Sequence, residues 1–395
     1  MVELDFGIFT MPEHPPWENW NLSYDRDVQE AKLADELGFD EYWIGEHHTG
    51  SYENVPVPEY MIAKISAETE HINLGPGTVN LPYHDPFLVA ERLAFLDQLT
   101  DGRVIYGYGG GGLPSDMEMF SIDGEDQREM IAEAIDIIQT YTQAEEPTSY
   151  DGEFWSYDDR IIQVPPYQDE PMESIAGLTR ERSYEMAGEM GMGSLSVYFT
   201  PLETPNNPAA PNLQDHARAM TEAAEAAGRD PQEVRDNWGI VREVYVSDSK
   251  EQALDEIREG VEDSYSYLIE LGLGALMKRD DEMPDDDLSL EWMAENIPWI
   301  IGSPEDCIRQ IKKLHEEVGG FGTLILNSRD WVTTDLQERS LELFAREVMP
   351  AFQSNKGPRE WHKQDVGYAS PEPDENVFQI EPSSSPTSAP ADDDD

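Results

Sequence analysis

Cysteine is almost absent from this sequence, and so are long apolar runs. Cys307 is the only cysteine in 395 residues, so one chain cannot form an internal disulfide. Ile308, Ile311 and Leu314 follow it at helical spacing, which predicts a helix that buries the thiol; a catalytic thiol is the alternative. No basic segment followed by an apolar run opens the chain, and no run approaches the roughly 18 apolar residues of a membrane span. The sequence predicts a cytoplasmic protein without a membrane segment.

Positive charge is also scarce. The chain has 26 Lys and Arg against 83 Asp and Glu, which gives a formal net charge of −57. Such a surface repels phosphate backbones and anionic headgroups, which argues against nucleic-acid and membrane-surface binding. The apolar residues are clustered in periodic segments, unlike those of a disordered acidic chain. We expect a folded halophilic protein from a high-salt cytoplasm; an ordinary acidic protein in low salt is the alternative.

Short apolar runs typical of strands alternate with longer amphipathic runs typical of helices. This alternation indicates a parallel sheet with crossover helices. Eight strand-helix units predict an α/β fold, the (β/α)₈ TIM barrel. The predicted strands are 4–10, 41–47, 72–80, 103–109, 173–178, 193–199, 238–248 and 322–327. The predicted helices are 25–39, 58–70, 85–100, a helix from near residue 124 to 143, 180–191, 213–228, 252–271 and 336–352.

The barrel domain is expected to span residues 1–352. Two segments look like insertions, an aromatic and Pro-rich stretch at 149–168 and another at 272–300. Within the second, residues 278–300 are either a lid over the barrel mouth or a solvated loop with one short packed helix. Residues 353–395 lose periodicity and end in SSSPTSAPADDDD, which predicts a disordered acidic tail.

The most informative local stretch is EYWIGEHHTG at 41–50, where a buried strand ends in an acid and two imidazoles. Barrel active sites lie at the C-terminal ends of the strands, so Glu46, His47 and His48 are expected at the mouth. Histidine is suited to proton transfer because its ordinary pKa is about 6.5, and a neighbouring carboxylate can fix its tautomer. Because adjacent side chains point in opposite directions, at most one histidine should face the cavity. The alternatives are a polar strand end and a metal site that adds His84.

A glycine run, GYGGGG at 107–112, follows the fourth predicted strand and contains GxGxxG. A dinucleotide fingerprint requires a helix directly after the run, whereas LPSDMEMFSID intervenes here, which argues against a Rossmann site. The glycines permit close backbone approach to something flat or charged; a flexible loop is the alternative.

A lone guanidinium opens the fourth predicted helix. Arg128 lies in its first turn, where the helix dipole disfavours a cation unless an anion such as phosphate binds there. An exposed ion pair with Glu125 or Glu129 is the alternative.

Several motifs together resemble the luciferase-like family of flavin-dependent monooxygenases. They are IGEHH at 44–48, GTVNLPYHDP at 77–86, LDQLTDGRVIYGYGGG at 96–111, EDQR at 125–128 and AGLTRERSYEMAGEMGMG at 176–193. LPYHDP, GGLPSD at 111–116 and the stretch from GGFGTLIL to RSLELFAREVMPAF within 319–352 look most like the limonene 1,2-monooxygenase branch. The resemblance covers residues 4–352.

The resemblance implies a barrel that binds reduced FMN or FAD at its mouth and uses dioxygen to oxygenate an organic substrate. It makes His47 the catalytic imidazole and Arg128 the residue that holds the flavin phosphate. It also implies a second phosphate contact from the turn between Thr179 and Ser183, and a non-prolyl cis peptide at Gly77-Thr78. The positions thus expected to bind cofactor are Gly77, Thr78, Gly109, Gly110, Gly111, Arg128, Thr179 and Ser183.

The resemblance also implies partners and leaves rivals open. No nicotinamide domain is recognisable, so reduced flavin should come from a separate reductase, and a homodimer is expected. The branch suggests a small apolar substrate such as a terpene. Asp85 stands where relatives carry histidine, which makes a proton relay there doubtful. A deazaflavin-dependent oxidoreductase on the same fold is the nearest rival; a metal hydrolase and a non-catalytic flavin-binding protein are further ones.

The aromatic residues are a further open point. Tyr42, Trp43, Tyr106, Tyr108 and Trp292 are expected either to shape an apolar pocket or to pack in the core.

Overall fold

The computed structural model describes residues 2–353, except 12, 125, 178–180, 198–211, 271–277, 279–282 and 285–286. Its strands are β1 Asp5–Thr10, β2 Glu41–Ile44, β3 Asn73–Pro76, β4 Val79–Asn80, β5 Tyr106–Gly109, β6 Thr148–Asp151, β7 Ser156–Arg160, β8 Glu173–Gly177, β9 Gly193–Ser196, β10 Trp238–Val246, β11 Ile300–Gly302 and β12 Thr323–Ser328. Its α-helices are α1 Trp20–Leu37, α2 Pro58–Ser66, α3 Pro86–Leu99, α4 Pro114–Phe120, α5 Gln127–Thr142, α6 Glu181–Met190, α7 Leu213–Ala226, α8 Pro231–Asp236, α9 Lys250–Glu270, α10 Leu290–Asn296, α11 Pro304–Val318 and α12 Thr334–Leu343. Short 3₁₀ turns at Leu81–Tyr83 and Met349–Ala351 and a π turn at Phe344–Val348 complete the described elements.

A parallel sheet forms the centre of the fold. The strands follow the order β3-β2-β1-β12-β10-β9-β8-β5-β4. β3 and β4 are two pieces of one strand position, because only the cis peptide Gly77-Thr78 separates them. A parallel bridge from Leu74 to Val104 and the pairing of Val79 with Tyr108 join this position to β5. The sheet therefore closes through eight strand positions, which confirms the predicted (β/α)₈ barrel.

Burial explains why these runs form barrel strands. Every residue of β5, β9 and β11 is buried, and so is every residue of β1 after Asp5, as expected for parallel strands covered on both faces. Phe9, Trp43, Leu195 and Ile325, from four different strands, belong to one buried cluster. A second and larger cluster joins the strands to the surrounding helices. This packing on both faces holds the short apolar runs in the barrel wall.

The helices also follow the sequence pattern. The predicted apolar face of α5 is buried, and Ile131, Ala134, Ile135 and Ile138 all belong to the larger buried cluster. Cys307 is fully buried on α11, and burial raises the pKa of its thiol to about 12, so the thiol is a packing residue. These two predictions are confirmed.

The structure contains elements beyond the eight predicted strand-helix units. The excursion at 149–168 is an antiparallel hairpin of β6 and β7. Three further elements were not predicted: α4, within the stretch LPSDMEMFSID that follows the glycine run; α8, between α7 and β10; and β11, which pairs with the far end of β10 and leads into α11. Strands of three residues and helices of six or seven carry too little periodicity to be recognised.

Residues 278–300, predicted to be either a lid or a solvated loop with one short packed helix, are described only in part. The described end of 278–300 contains α10, which buries Leu290 and Met293, in agreement with a short packed helix. The rest of this segment includes residues outside the described part of the chain. The predicted tail, residues 353–395, lies outside it from residue 354 onward, so the domain boundary at 352/353 stays a prediction. Across the described residues, no helix is long and apolar enough to cross a membrane. The cytoplasmic location likewise stays a prediction.

Candidate active site

A cavity of about 440 Å³ opens at the C-terminal ends of the barrel strands. This is the size range of cofactor and small-molecule sites. It brings together most of the residues that the sequence predicted for a site. They come from the segment after β2, the β3–β4 junction, the end of β5 with the loop after it, and the first turns of α5 and α6. The predicted residues that line it are Glu46, His47, Gly77, Thr78, Gly109, Gly110, Gly111 and Ser183.

His47 lies directly after β2 and lines this cavity. Its backbone N–H donates to Val55 O at 3.1 Å, which folds the following loop back over the strand end. Its Nδ1 lies 3.2 Å from Asp116 Oδ2, and its Nε2 lies 3.7 Å from Glu53 Oε2. Burial opposes the charged imidazolium, but the two carboxylates outweigh it and raise the pKa of His47. The imidazole is therefore held between two acids at the cavity wall.

Asp116, from α4, orients that imidazole. The residue is fully buried, and its carboxylate accepts hydrogen bonds from the His48 backbone N–H at 3.3 Å and from the Thr49 hydroxyl. Burial favours the neutral acid, yet the bonds from His47 and Thr49 outweigh it and lower the pKa of Asp116. An ionised carboxylate only accepts, so the proton of a neutral His47 resides on Nδ1. Nε2 is then the nitrogen that gains and loses a proton.

Glu46 joins three segments at the mouth. Its Oε2 accepts from the Asn80 backbone N–H at 3.0 Å, and its Oε1 lies 3.0 Å from His48 Nε2 and 2.9 Å from His84 Nε2. Burial opposes its charge, but the bonds from His48 and His84 outweigh burial and lower the pKa of Glu46. Both oxygens are thus occupied, so Glu46 fixes the ends of β2 and β4. Its predicted catalytic role stays a prediction.

The two adjacent histidines divide as expected. His47 faces the cavity, whereas the ring of His48 packs edge-on against Phe120, with ring centres 4.7 Å apart. His48 and His84 both contact Glu46, while His47 contacts Asp116 on another element. Within the described part of the chain, no group of three or more His, Cys, Asp or Glu side chains is arranged to hold a metal ion. The metal-hydrolase alternative therefore has no geometric support here.

The glycine run forms one wall of the cavity. Added Cβ atoms would lie 2.1 Å from Thr78 Oγ1 at Gly109 and 2.0 Å from the Tyr83 hydroxyl at Gly111, which also has a φ of +82°. Side chains are excluded there by close packing, and what the run presents to the cavity is backbone. The predicted cis peptide at Gly77-Thr78 is present in the same wall.

Of the residues predicted to contact the flavin phosphate, Ser183 lines the cavity and Arg128 does not. Ser183, in the first turn of α6, lines the cavity, as does Gln127, the first residue of α5. Arg128 follows Gln127 but has an exposed side chain and does not line the cavity itself. Among the described residues it makes no ion pair; Glu125, one of its expected partners, lies outside them. Thr179 also lies outside the described residues.

The apolar wall comes from residues that the sequence did not single out. Tyr42, Trp43, Tyr106 and Tyr108 are buried in the core and do not line the cavity, and Trp292 packs on α10 away from it. The apolar residues that do line it are Phe9, Met11, Leu113, Met117, Ile131, Ala176 and Val197.

The acids Glu53 and Asp116 were also missed as site residues. A usable signal existed, because Asp116 lies in GGLPSD and Glu53 in the loop after β2, both beyond C-terminal strand ends. Asp85, which the sequence reading regarded as a doubtful proton relay, caps α3 by accepting from the Leu88 N–H at 3.1 Å.

A second cavity of about 580 Å³ lies between α1, α9 and α12. None of the predicted site residues lines it. Its wall contains His14, whose two ring nitrogens lie 3.1 Å from Asp27 and 3.0 Å from Asp330. Burial opposes the charged ring, but both acids outweigh it and raise the pKa of His14 to about 9. This network joins the loop after β1 to the loop after β12.

Comparison with known proteins agrees with the fold. Residues 4–320 match the luciferase-like monooxygenase family. A 4-hydroxyprotoasukamycin monooxygenase from Streptomyces nodosus subsp. asukaensis is 33% identical over 355 residues, 89% of this chain and 93% of that protein. A limonene 1,2-monooxygenase from Rhodococcus erythropolis is 33% identical over 356 residues, 90% of this chain and 88% of that protein.

Solved structures share the barrel. The oxygenating constituent of 3,6-diketocamphane monooxygenase from Pseudomonas putida, a type II Baeyer-Villiger monooxygenase in complex with FMN, superposes with a TM-score of 0.77 at 26% identity. The match covers 89% of this chain and 99% of that one. An F420-dependent secondary alcohol dehydrogenase has a TM-score of 0.67 at 18% identity, over 89% of this chain and 100% of that one, and shows the fold alone.

The family match, the relatives and the shared barrel together define the class of this protein as a flavin-dependent oxidoreductase. The chain belongs to the luciferase-like monooxygenase family, and its enzyme class is that of the flavin-dependent monooxygenases.

Proposed function

We propose that this chain is the oxygenase component of a two-component system, which binds reduced FMN and uses dioxygen to oxygenate a small apolar organic substrate. The observation that carries the proposal is the cavity at the strand ends, which combines a glycine-backbone wall, an apolar wall and the imidazole of His47. FMN, rather than FAD, is supported by the P. putida structure, which is a complex with FMN. That protein is an oxygenating constituent, which supports a separate flavin reductase here.

The residues present fit a flat ring system with a phosphate tail. Gly109, Gly110 and Gly111 offer a wall without side chains, against which a planar ring can lie. The first turns of α5 and α6 meet the same cavity through Gln127 and Ser183, and helix N-termini favour anions. The exposed guanidinium of Arg128 in the α5 turn can pair with a phosphate by charge-assisted hydrogen bonds. We therefore assign the phosphate end to the α5–α6 side.

When bound, reduced flavin supplies the electrons that activate dioxygen. The chain's own contribution is proton control and exclusion of water. His47 presents Nε2 to the cavity while Asp116 holds Nδ1, so a proton can be given or taken at one defined atom. Phe9, Met11 and Val197 line the cavity with apolar surface, which disfavours water beside the reacting groups.

The apolar wall also supports the proposed substrate class. Seven apolar side chains line the cavity, and the described lining contains no lysine or arginine to recognise an anionic substrate. A small olefin or terpene fits this chemistry, and the limonene enzyme among the relatives acts on such a compound by its name. Substrate recognition would then rest on shape rather than on charge.

A deazaflavin is the rival cofactor, since it also combines a flat ring system with a phosphate, and an F420-dependent enzyme shares the fold. The test is an anaerobic titration of the protein, in high salt, with reduced FMN, reduced FAD and reduced deazaflavin in parallel. The proposal predicts that reduced FMN binds most tightly and reoxidises when oxygen is admitted. Binding of deazaflavin alone, with no oxygen-dependent change, would reassign the protein to hydride transfer.

A homodimer is proposed from an exposed apolar surface on α3 and its surroundings. Leu88, Phe95 and Leu99 lie on one side of α3, at intervals of seven and four residues, and each is about half exposed. Tyr167 continues this surface, since its ring lies beside Gly102 just after α3, and Tyr60 exposes its ring on α2. Exposed apolar side chains grouped in this way mark an interaction site. A second copy of the same surface would cover it by a two-fold contact.

Function in molar salt is proposed from the charge. At a net charge of −57, self-repulsion in dilute buffer destabilises the folded chain, and salt shortens its range to about 3 Å at 1 M.

A further inference from the structure

A buried carboxylate that was not among the predicted site residues faces the candidate catalytic histidine. Glu53 is 2% exposed, lines the cavity, and places Oε2 at 3.7 Å from His47 Nε2. This oxygen is buried but has no hydrogen-bond partner among the described residues. Buried polar atoms are almost always paired, so an unpaired carboxylate oxygen beside an active-site imidazole requires an explanation.

The backbone around Glu53 is fixed on both sides. Glu53 forms an antiparallel bridge with Glu13, in the loop after β1. Next to it, the His14 N–H donates to Tyr52 O at 2.9 Å, and the His47 N–H donates to Val55 O at 3.1 Å. The loop after β2 is therefore clamped between the loop after β1 and the end of β2, and the Glu53 side chain is aimed at His47.

The charges facing Glu53 come from four other elements. Burial raises its pKa, and the carboxylates of Glu13 and Asp116 raise it further, whereas His47 and Arg329 lower it. Burial prevails, so the pKa of Glu53 is raised. On the remaining side stands Tyr267 of α9, whose pKa is raised first by its burial and then by Glu53. Glu53 is thus a carboxyl group able to hold a proton where an exposed glutamate would not.

The space around the unpaired oxygen is left open by a glycine. A Cβ at Gly50 would lie 3.3 Å from Glu53 Oε2 and 2.8 Å from the Tyr267 hydroxyl. The Tyr267 hydroxyl also has no hydrogen-bond partner among the described residues. No side chain therefore comes between Glu53 and the imidazole from this side.

We propose that Glu53 is the proton partner of His47, exchanging a proton with Nε2 while Asp116 holds Nδ1. In the step, the Glu53 O–H bond breaks and a His47 N–H bond forms, leaving carboxylate and imidazolium; the reverse step restores both groups. Catalytic hydrogen bonds are often long without ligands, and a closure of under about 1 Å or one water molecule connects the atoms. Glu53 acts through His47 and is a positioning and proton-supplying residue. The inference rests on the proposed role of His47.

The test compares E53Q with wild type and with two further variants. E53Q keeps the shape of the side chain but cannot ionise, and E53D restores the carboxylate on a shorter stem. E41Q is the matched control: Glu41 is the first residue of β2, at the opposite end of that strand from the cavity, accepts a hydrogen bond from Trp43 Nε1 at 2.9 Å, and has a pKa that burial raises to about 7. The E41Q variant therefore also replaces a buried carboxyl group by an amide, but at a residue that does not line the cavity. Circular dichroism in high salt verifies that each variant is folded.

The first readout needs no cofactor. The imidazole of His47 is titrated by NMR in the cofactor-free protein, with the resonance assigned through H47A. Removing a neighbouring negative charge removes what raises the pKa of His47, so in E53Q the His47 titration should move to lower pH, while in E41Q it should not move. An unchanged His47 titration in folded E53Q would overturn the inference.

The second readout is the pH profile of oxygenation at saturating reduced flavin. We expect kcat of E53Q to fall about 10- to 100-fold with its acidic limb moved to lower pH, flavin affinity to be retained, and E53D to recover part of the rate. Equal pH profiles for E53Q and wild type would contradict the inference. Failure of the proposed function is a separate outcome: wild type would then not bind or reoxidise reduced flavin, although the NMR coupling between Glu53 and His47 would persist.

Discussion

The side chain of Asp116 gives the sharpest test of how the site works. Its carboxylate is the acceptor that keeps the proton of His47 on Nδ1, through a contact of 3.2 Å. The substitution D116N preserves shape and burial but turns one oxygen into an amide N–H₂ donor. That donor can bond the bare Nδ1 lone pair and so favour the opposite tautomer, with the proton on Nε2. The nitrogen that faces the cavity would then be unable to accept a proton.

The size of the effect follows from the lost bond. Hydrogen bonds to charged groups contribute about 1.5–3 kcal/mol. At about 1.36 kcal/mol per tenfold in rate, the oxygenation step should slow about 10- to 150-fold. Loss of the Asp116 charge should also move the titration of His47 to lower pH, since that charge raises the His47 pKa.

The assay is single-turnover oxygenation by enzyme preloaded with reduced FMN, with product measured across pH. E118Q is the control, because Glu118 lies two residues away on α4, is exposed and loses the same charge. E118Q should match wild type. A folded D116N enzyme that oxygenates substrate within about twofold of wild type at every pH would refute the proposed orientation of His47 by Asp116.

Four further predictions concern the remaining features. R128Q should weaken binding of reduced FMN about 10-fold but leave binding of reduced riboflavin, which has no phosphate, unchanged by anaerobic titration. The raised pKa of His14, about 9 in the fold, means that its contacts with Asp27 and Asp330 stabilise the protein fully below about pH 6.5 and progressively less as pH rises through 9. This loss is about 3 kcal/mol, and urea unfolding should show it in wild type and not in H14Q. F95E should convert a dimer into a monomer by light scattering, whereas an unchanged mass would argue against the α3 surface. Circular dichroism should show loss of structure in dilute buffer and recovery in molar salt; undisturbed folding without salt would contradict the high-salt proposal.

The eight barrel strands were predictable because each is a short apolar run followed by an amphipathic one. Strands that are buried on both faces are apolar almost throughout, so their runs are easy to recognise. Examples are EYWI at 41–44 and TLILNS at 323–328. β11 was not predictable, since its three residues merge into the preceding insertion and its pairing depends on the far end of β10. Likewise α4, only seven residues long, has too few turns for a periodic signal.

The position of His47 could be inferred because a barrel places strand ends at one face, whatever else the chain does. Its partners could not be inferred in the same way. Asp116 is 69 residues from His47 and belongs to the missed helix α4, while Glu53 reaches the cavity only because its loop folds back over β2. Their positions beyond strand ends mark both acids as candidates for the barrel mouth. Contacts between distant segments depend on tertiary packing, so no local pattern shows that these acids face His47.

The glycine run illustrates a related limit. Its sequence indicated close approach to a ligand, but the contacts at Gly109 and Gly111 are with Thr78 and Tyr83 of the protein itself. Glycine was required by packing, and the backbone wall follows from that packing.

Oxygen transfer is the central claim, and isotope labelling tests it most directly. The protein is loaded anaerobically with reduced FMN in high salt, mixed with ¹⁸O₂ and a panel of small olefins and cyclic ketones, and the products are analysed by mass spectrometry. The account predicts a product that carries one ¹⁸O atom, formed by wild type and strongly reduced in H47A. Reoxidation of bound FMN that yields only labelled hydrogen peroxide with every compound of the panel would contradict it.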